Sequence, residues 1–271
     1  MSQNEVIQKL RSFIDEDRSY GYTDHKLAQG NALFLDRTLK RCQHGDKTAL
    51  IRAKEILCQK SFRDKLQKEG LGFIDDGIVN EEDFEKCDVK LVFVMREANC
   101  DGDGNAAWPL VQKVREGNSG ARTWDRIAWW LDALYKTQYE TLDVECRKKL
   151  FSTISVINLK KTAGGSSVNP KIFNGFVNKY SKELKEQFVL YKFEQPTIFL
   201  CCGKSKGANV FDTLKRIMSV NDEGKCEGFR YAHIGGSVAV EYYHPSCRRS
   251  RAKYCAEFPK LIQKLVELRK K

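Results

Sequence analysis

The chain predicts an α/β fold: three layers, α/β/α, around a mainly parallel four-stranded central sheet, with an N-terminal helical extension. Three observations predict it. Four short apolar runs occur after residue 87, each ending in a polar, glycine-bearing loop. Residues at helical spacing lie between those runs, and alternating strands and helices imply right-handed crossovers with helices on both faces. Residues 1 to about 70 read as helical throughout. The expected division is therefore 1–86 for the helical extension and 87–271 for the α/β domain.

Taken in order, Val6, Leu10, Phe13 and Ile14 have helical spacing. So do Leu50, Ile51, Ile56 and Leu57, followed by Phe62 and Leu66, within a Lys/Arg-rich background that reads as a solvated face. Gly70-Leu71-Gly72 ends the pattern. The expected strands are Val89 to Met95, Thr153 to Asn158, Thr197 to Cys202 after Pro196, and Ser237 to Tyr243. Trp124, Ile127, Leu131 and Leu134 mark a first helix between them. Ile172, Phe173, Phe176, Tyr180, Leu184 and Phe188 mark one long second helix. Val210, Leu214 and Ile217 mark a third, and Leu261, Leu265 and Leu268 a closing one.

The totals narrow the class. With 271 residues, 41% hydrophobic and 31% charged, the chain can bury a substantial core and is not of disordered composition. No apolar run approaches the ~20 residues that span a bilayer, so no membrane partner is expected. The start, Met1-Ser2-Gln3-Asn4-Glu5, lacks the layout of a signal peptide, so an intracellular protein is expected, cytoplasmic in a bacterium or nuclear in a eukaryote. Ten cysteines include no Cys-x-x-Cys, which reads as reduced, largely buried thiols rather than a metal or disulfide framework. A formal net charge of +11 favours polyanions, chiefly nucleic acid.

Parallel strands place their C-terminal ends along one edge, where ligands of open α/β sheets bind. The first strand delivers Arg96 to Gly104, with Trp108-Pro109 beyond; the second delivers Asn158 to Ser167. The third delivers Gly203 to Gly207 and the fourth His244 to Arg251. Glycine-freed amides with Lys, Arg and Ser suit a phosphate chain. Among them stand a carboxylate (Glu97), amides (Asn99, Asn158), an imidazole (His244) and a large aromatic (Trp108), which can read and stack on a base. No Gly-x-x-x-x-Gly-Lys-Ser/Thr and no Gly-x-Gly-x-x-Gly occurs, so a nucleoside-triphosphate or dinucleotide enzyme is unsupported.

The four loops, in this order, resemble those of the uracil-DNA glycosylase superfamily over roughly residues 88 to 255. His244-Pro245-Ser246 after an apolar strand is similar to its second active-site motif, and Val94 to Asn99 to its first. The segment Val156 to Lys161, with Gly165 and Pro170, resembles the strand that carries its base-reading asparagine, and Pro196 to Gly203 its later glycine-loop strand. The resemblance implies a monofunctional DNA glycosylase that flips a uracil or modified pyrimidine out of DNA and hydrolyses its N-glycosidic bond.

Under that resemblance Glu97, Asn99 and His244 are the catalytic candidates: Glu97 or Asn99 handles water, and His244 donates to the leaving base. Met95, Arg96, Trp108 and Asn158 would form the base pocket. Lys160, Lys161, Ser166, Lys204, Ser205, Ser246, Arg248, Arg249 and Arg251 would contact DNA, with Arg248 or Arg249 filling the gap in the stack. Arg96 stands where many members have glycine and Asn99 where many have proline. The cysteine of cluster-bearing branches is replaced by Lys161-Thr162. No metal, cluster or other cofactor is expected, and the expected state is a monomer with DNA as partner.

The residues also admit plainer roles. Glu97 could pair with Arg96 or Lys161, Asn158 could cap a turn, and Trp108 could be core or lid. The same crevice could bind DNA or a nucleotide without chemistry, or serve a different hydrolase.

Overall fold

The computed structural model describes residues 1–16, 25–99, 107, 109–117, 122–137, 139, 141–165, 167–247 and 250–269. The chain opens with α1 (Gln3–Glu16), α2 (His25–Gln43) and α3 (Lys47–Lys68). Val6, Leu10, Phe13 and Ile14 are the buried stripe of α1, and the Asp46 carboxylate caps α3 by accepting from Ala49 N at 2.8 Å. Strand β1 (Gly77–Ile78) and α4 (Glu81–Lys86) follow, then β2 (Lys90–Met95), α5 (Leu110–Arg115), α6 (Arg122–Tyr135) and α7 (Val144–Phe151). Next come β3 (Ile154–Asn158), α8 (Pro170–Lys179), α9 (Ser181–Leu190), β4 (Thr197–Cys202) and α10 (Val210–Met218). The chain ends with β5 (Gly224–Cys226), β6 (Phe229–Ile234), β7 (Ser237–Tyr242) and α11 (Arg251–Arg269). Asparagine side chains cap α4 (Asn80), α8 (Asn169, with Pro170 in the first turn) and α10 (Asn209).

The fold is α/β, but the expected four-stranded sheet is a mixed sheet of seven strands in the order β1-β3-β2-β4-β7-β6-β5. β3, β2, β4 and β7 pair in parallel, whereas β1, β6 and β5 run antiparallel to their neighbours. The added strands are short or half-exposed, so they carry no continuous apolar run. The long helix expected across 172–188 is two helices, broken at Tyr180. There the backbone leaves helical values (φ −111°, ψ 22°) and the hydroxyl donates to Glu69 Oε1 at 2.7 Å.

Two cores sandwich the sheet. Val92, Val94, Ile157, Phe199 and Cys201 belong to one, together with residues of α1–α3 and α8–α10. Leu91, Phe93, Met95, Ile154, Val156, Leu200 and Tyr242 belong to the other, with α5–α7 and α11. The N-terminal helices therefore share a core with the crossover helices of the sheet, and β1, within the expected extension, pairs directly with β3.

Candidate active site

Period-two alternation along the strands places the candidate side chains. Met95 and Val156 face the α5–α7/α11 layer. Glu97 and Asn99 continue the parity of Met95, and Asn158 that of Val156. On β7, Val238, Val240 and Tyr242 face the same layer, and His244 continues their parity. These ends meet in a cavity of about 220 Å³, lined by Met95, Glu97, Ala98, Asn99, Leu110, Thr123, Trp124, Val156, Asn158 and His244. At roughly 30 Å³ per water, that is space for about seven waters, enough to admit a single nucleobase ring.

Glu97 is held from two sides. The β2–β3 pairing runs on past the strands: Leu159 N donates to Met95 O (2.9 Å), Lys160 N to Arg96 O (2.8 Å) and Gly164 N to Ala98 O (2.8 Å). This ladder brings Lys160 Nζ to 2.6 Å from Glu97 Oε2, with both side chains under 10% exposed. Lys160 Nζ also donates to Ala163 O at 2.6 Å. On the other side the backbone of Gly164 closes in: a Cβ there would lie 2.2 Å from Glu97 Cδ.

Asn158 is 2% exposed. Its backbone N–H donates to Asp76 Oδ2 at 2.7 Å, while its side-chain Nδ2 has no hydrogen-bond partner. A buried amide donor left unpaired beside a cavity costs free energy on the order of 1–3 kcal/mol, which a ligand acceptor would offset. Beneath it lies a fully buried polar network. Asp76 pairs with Lys161 Nζ and accepts from Gln187 Nε2 (2.8 Å) and Gln59 Nε2 (2.9 Å). Gln187 Nε2 and Tyr191 OH also donate to Glu55 Oε1, at 2.8 and 2.6 Å. Helix α3 thus reaches the end of β3 through side chains.

His244 has a defined tautomer. Its Nδ1 accepts the Ser246 backbone N–H at 3.1 Å and lies 2.6 Å from Ser246 Oγ. A backbone N–H can only donate, so in the neutral ring the proton sits on Nε2. Burial, then the charges of Arg96 and Arg126, push the imidazole down from 6.5 to about 4, so the ring is neutral near pH 7.

Other expected residues fall elsewhere. Lys161 follows Leu159 in parity, turns to the opposite face and is 0% exposed, so it is no phosphate ligand. Lys160 is also corrected: its ammonium is buried on Glu97 and backbone carbonyls. Arg96, one residue out of step with Met95 and Glu97, does not line the cavity; its Nη1 donates to Ser205 Oγ at 2.7 Å. Burial lowers the Arg96 guanidinium from its usual range. Lys204 is exposed, 3.3 Å from Glu241 Oε2, and Ser246 is exposed. Arg251 is half-exposed, stacked over Trp129 at 5.3 Å. Trp108, Ser166, Arg248 and Arg249 lie outside the described residues. Trp124 and Thr123, at the start of α6, and Leu110, at the start of α5, line the cavity and were not anticipated there. Trp124 carried a signal as the first residue of a helical pattern that follows the first strand's loop, which places it near the strand ends.

Among the described residues no group of three or more His, Cys, Asp or Glu is placed to hold a metal ion, and no helix is long and apolar enough to cross a membrane. Comparison with protein-family models, curated proteins and solved structures finds no match to this chain.

Proposed function

We propose that the chain is a DNA glycosylase of the uracil-DNA glycosylase kind, hydrolysing the N-glycosidic bond of a flipped uracil or modified pyrimidine. The observation that carries this reading is the convergence of Glu97, Asn99, Asn158 and His244 on one cavity, with the buried side-chain amide donor of Asn158 unpaired. The base enters with its pairing edge on Asn158 and its face toward Trp124. As the C1′–N1 bond breaks, its electron pair passes to the base, and His244 Nε2–H donates to the base oxygen that becomes negative. The sugar becomes positive, and the Glu97 carboxylate stabilises it and orients water with Asn99. Water adds to C1′, and the proton it loses ends on the departed base anion, leaving an abasic site and a neutral free base.

The test uses single- and double-stranded oligonucleotides containing uracil, hypoxanthine or modified cytosines. Free base and alkali-labile sites are expected from at least one substrate. His244→Ala and Asn158→Ala should each slow release by about 10²–10³-fold, the usual effect of removing a preorganised donor. One observation favours a second reading, a DNA-binding module without chemistry: Glu97 Oε2 is already engaged by the Lys160 ammonium at 2.6 Å, which leaves the carboxylate one oxygen fewer to hold water. Salt-dependent DNA binding with no base released from any substrate would establish the module and exclude the enzyme.

A further inference from the structure

On the opposite layer from the cavity, α1, α3 and α9 border a groove of about 750 Å³, with Lys9 of α1 and the preceding Met1 along its third side. Helices α3 and α9 each present one stripe to it. Lys54, Leu57 and Ser61 stand at i, i+3 and i+7 on α3; Lys182, Lys185 and Val189 stand at the same spacing on α9. The helices run antiparallel, since Tyr180 bonds Glu69 while Gln187 bonds Glu55. Lys54 therefore marks one end of the groove and Lys182 the other. Each stripe covers roughly 10 Å at 1.5 Å per residue, or two turns of a helix laid alongside.

The groove's chemistry is lopsided. Its floor is apolar: Leu57 and Leu190 are partly buried, and Val189 is 39% exposed. Its rim is cationic. On the same helix Lys60 pairs with Asp64 at 2.9 Å and Lys65 with Glu183. Lys54, Lys182 and Lys185 have no carboxylate partner among the described residues, and Glu186 is the lone acid lining the groove among them. A phosphate backbone would satisfy the lysines and leave the apolar floor unfilled. An apolar ligand would fill the floor and leave the lysines facing solvent.

We propose that this groove docks an acidic amphipathic helix of a partner protein. Its apolar side chains at i, i+3 or i+4, and i+7 rest on Leu57, Val189 and Leu190, and its Asp or Glu residues face Lys54, Lys182 and Lys185. The partner's charge also complements the net +11 of the chain, which speeds encounter and fixes orientation.

The test titrates the full chain into labelled helical peptides about four turns long. One series keeps the apolar spacing and raises the number of acidic residues from none to six; a scrambled series keeps composition and loses the spacing. Binding is expected to strengthen with acid content only in the spaced series. The Lys54→Glu/Lys185→Glu double variant, and separately Val189→Asp, should weaken it by at least about tenfold, with unchanged circular dichroism. Absence of binding by every peptide overturns the proposal. So does equal binding of the scrambled series, which marks a generic polyanion site. So does a double variant that loses affinity for duplex DNA but not for the spaced peptides.

Discussion

His244 receives its tautomer from a single backbone donor two residues along the chain, Ser246 N. Its depressed proton affinity has two consequences. The unfolded ring takes up a proton below about 6.5, the folded one only near 4. The native state is therefore fully favoured above 6.5 and loses stability as pH falls from 6.5 through 4. Urea midpoints measured across that window should decline with acid, and His244→Gln should flatten the decline; a parallel decline in the variant would remove His244 as its source. Under the proposed function, base release should keep its rate down to about pH 4 on the His244 side. At Gly164 the constraint is space: Gly164→Ala would drive a Cβ into Glu97 and displace the carboxylate. A misplacement of about 1 Å costs on the order of 100-fold in rate. An unchanged rate would show that Glu97 has no part in the chemistry. The convergence of Glu97, Asn99, Asn158 and His244 on one cavity was legible before the structure, because each lies just at or beyond the end of an apolar run. Which of two adjacent lysines met Glu97 was not, because a run apolar on both faces hides its own parity.

Among the elements, β3 depends most on its neighbours. Its last residue is anchored through Asp76, which sits just before β1 and is itself held by Gln59 of α3. Asp76→Asn keeps the shape and strands the buried Lys161 ammonium. Unpairing a buried ion pair costs about 3–5 kcal/mol, whereas apolar replacement of both partners is often neutral. Urea denaturation should show that loss in Asp76→Asn and a large recovery when Lys161→Met is added. No recovery would mean that the pair is not the source of the loss. The elements missed in the sequence differ in how visible they were. Ile234 and Ser237 pair across Gly235-Gly236, a two-residue loop of the kind that marks a hairpin, so β6 was there to be read. Cys226 and Phe229 pair across Glu227-Gly228, both at positive φ (49° and 82°), and glutamate gives no warning of that backbone. The break at Tyr180 has no glycine or proline to announce it; tertiary contacts to Phe62 and Glu69 make it.

For the molecule as a whole, the lysines of the β3 loop are buried, so under the proposed function the excess of positive charge would have to act through exposed side chains. Lys204, 73% exposed at a strand end, is the better candidate for the proposed phosphate contact. Lys204→Ala should weaken binding of all DNA sequences alike and lower the slope of log affinity against log salt by about one. A slope that stays the same would remove Lys204 from the proposed DNA contact. The sheet edge and its polar loops were legible because strand ends announce themselves by composition. The packing of α1–α3 into the same core as α8–α10 was not, because an amphipathic stripe says that a helix is covered and not by what.

The two-residue repeat that turns Met95, Glu97 and Asn99 toward one chamber has a consequence for how such a chain can change over generations. Substitutions there retune the chamber one contact at a time. Deleting or inserting a single codon between Leu91 and Glu97 would swing the acid away and bring its arginine neighbour inward, with every following position reversed. Descendants can therefore lengthen the helices behind the sheet and drift in side-chain chemistry along it, while the stretch from strand start to acid changes length only in pairs.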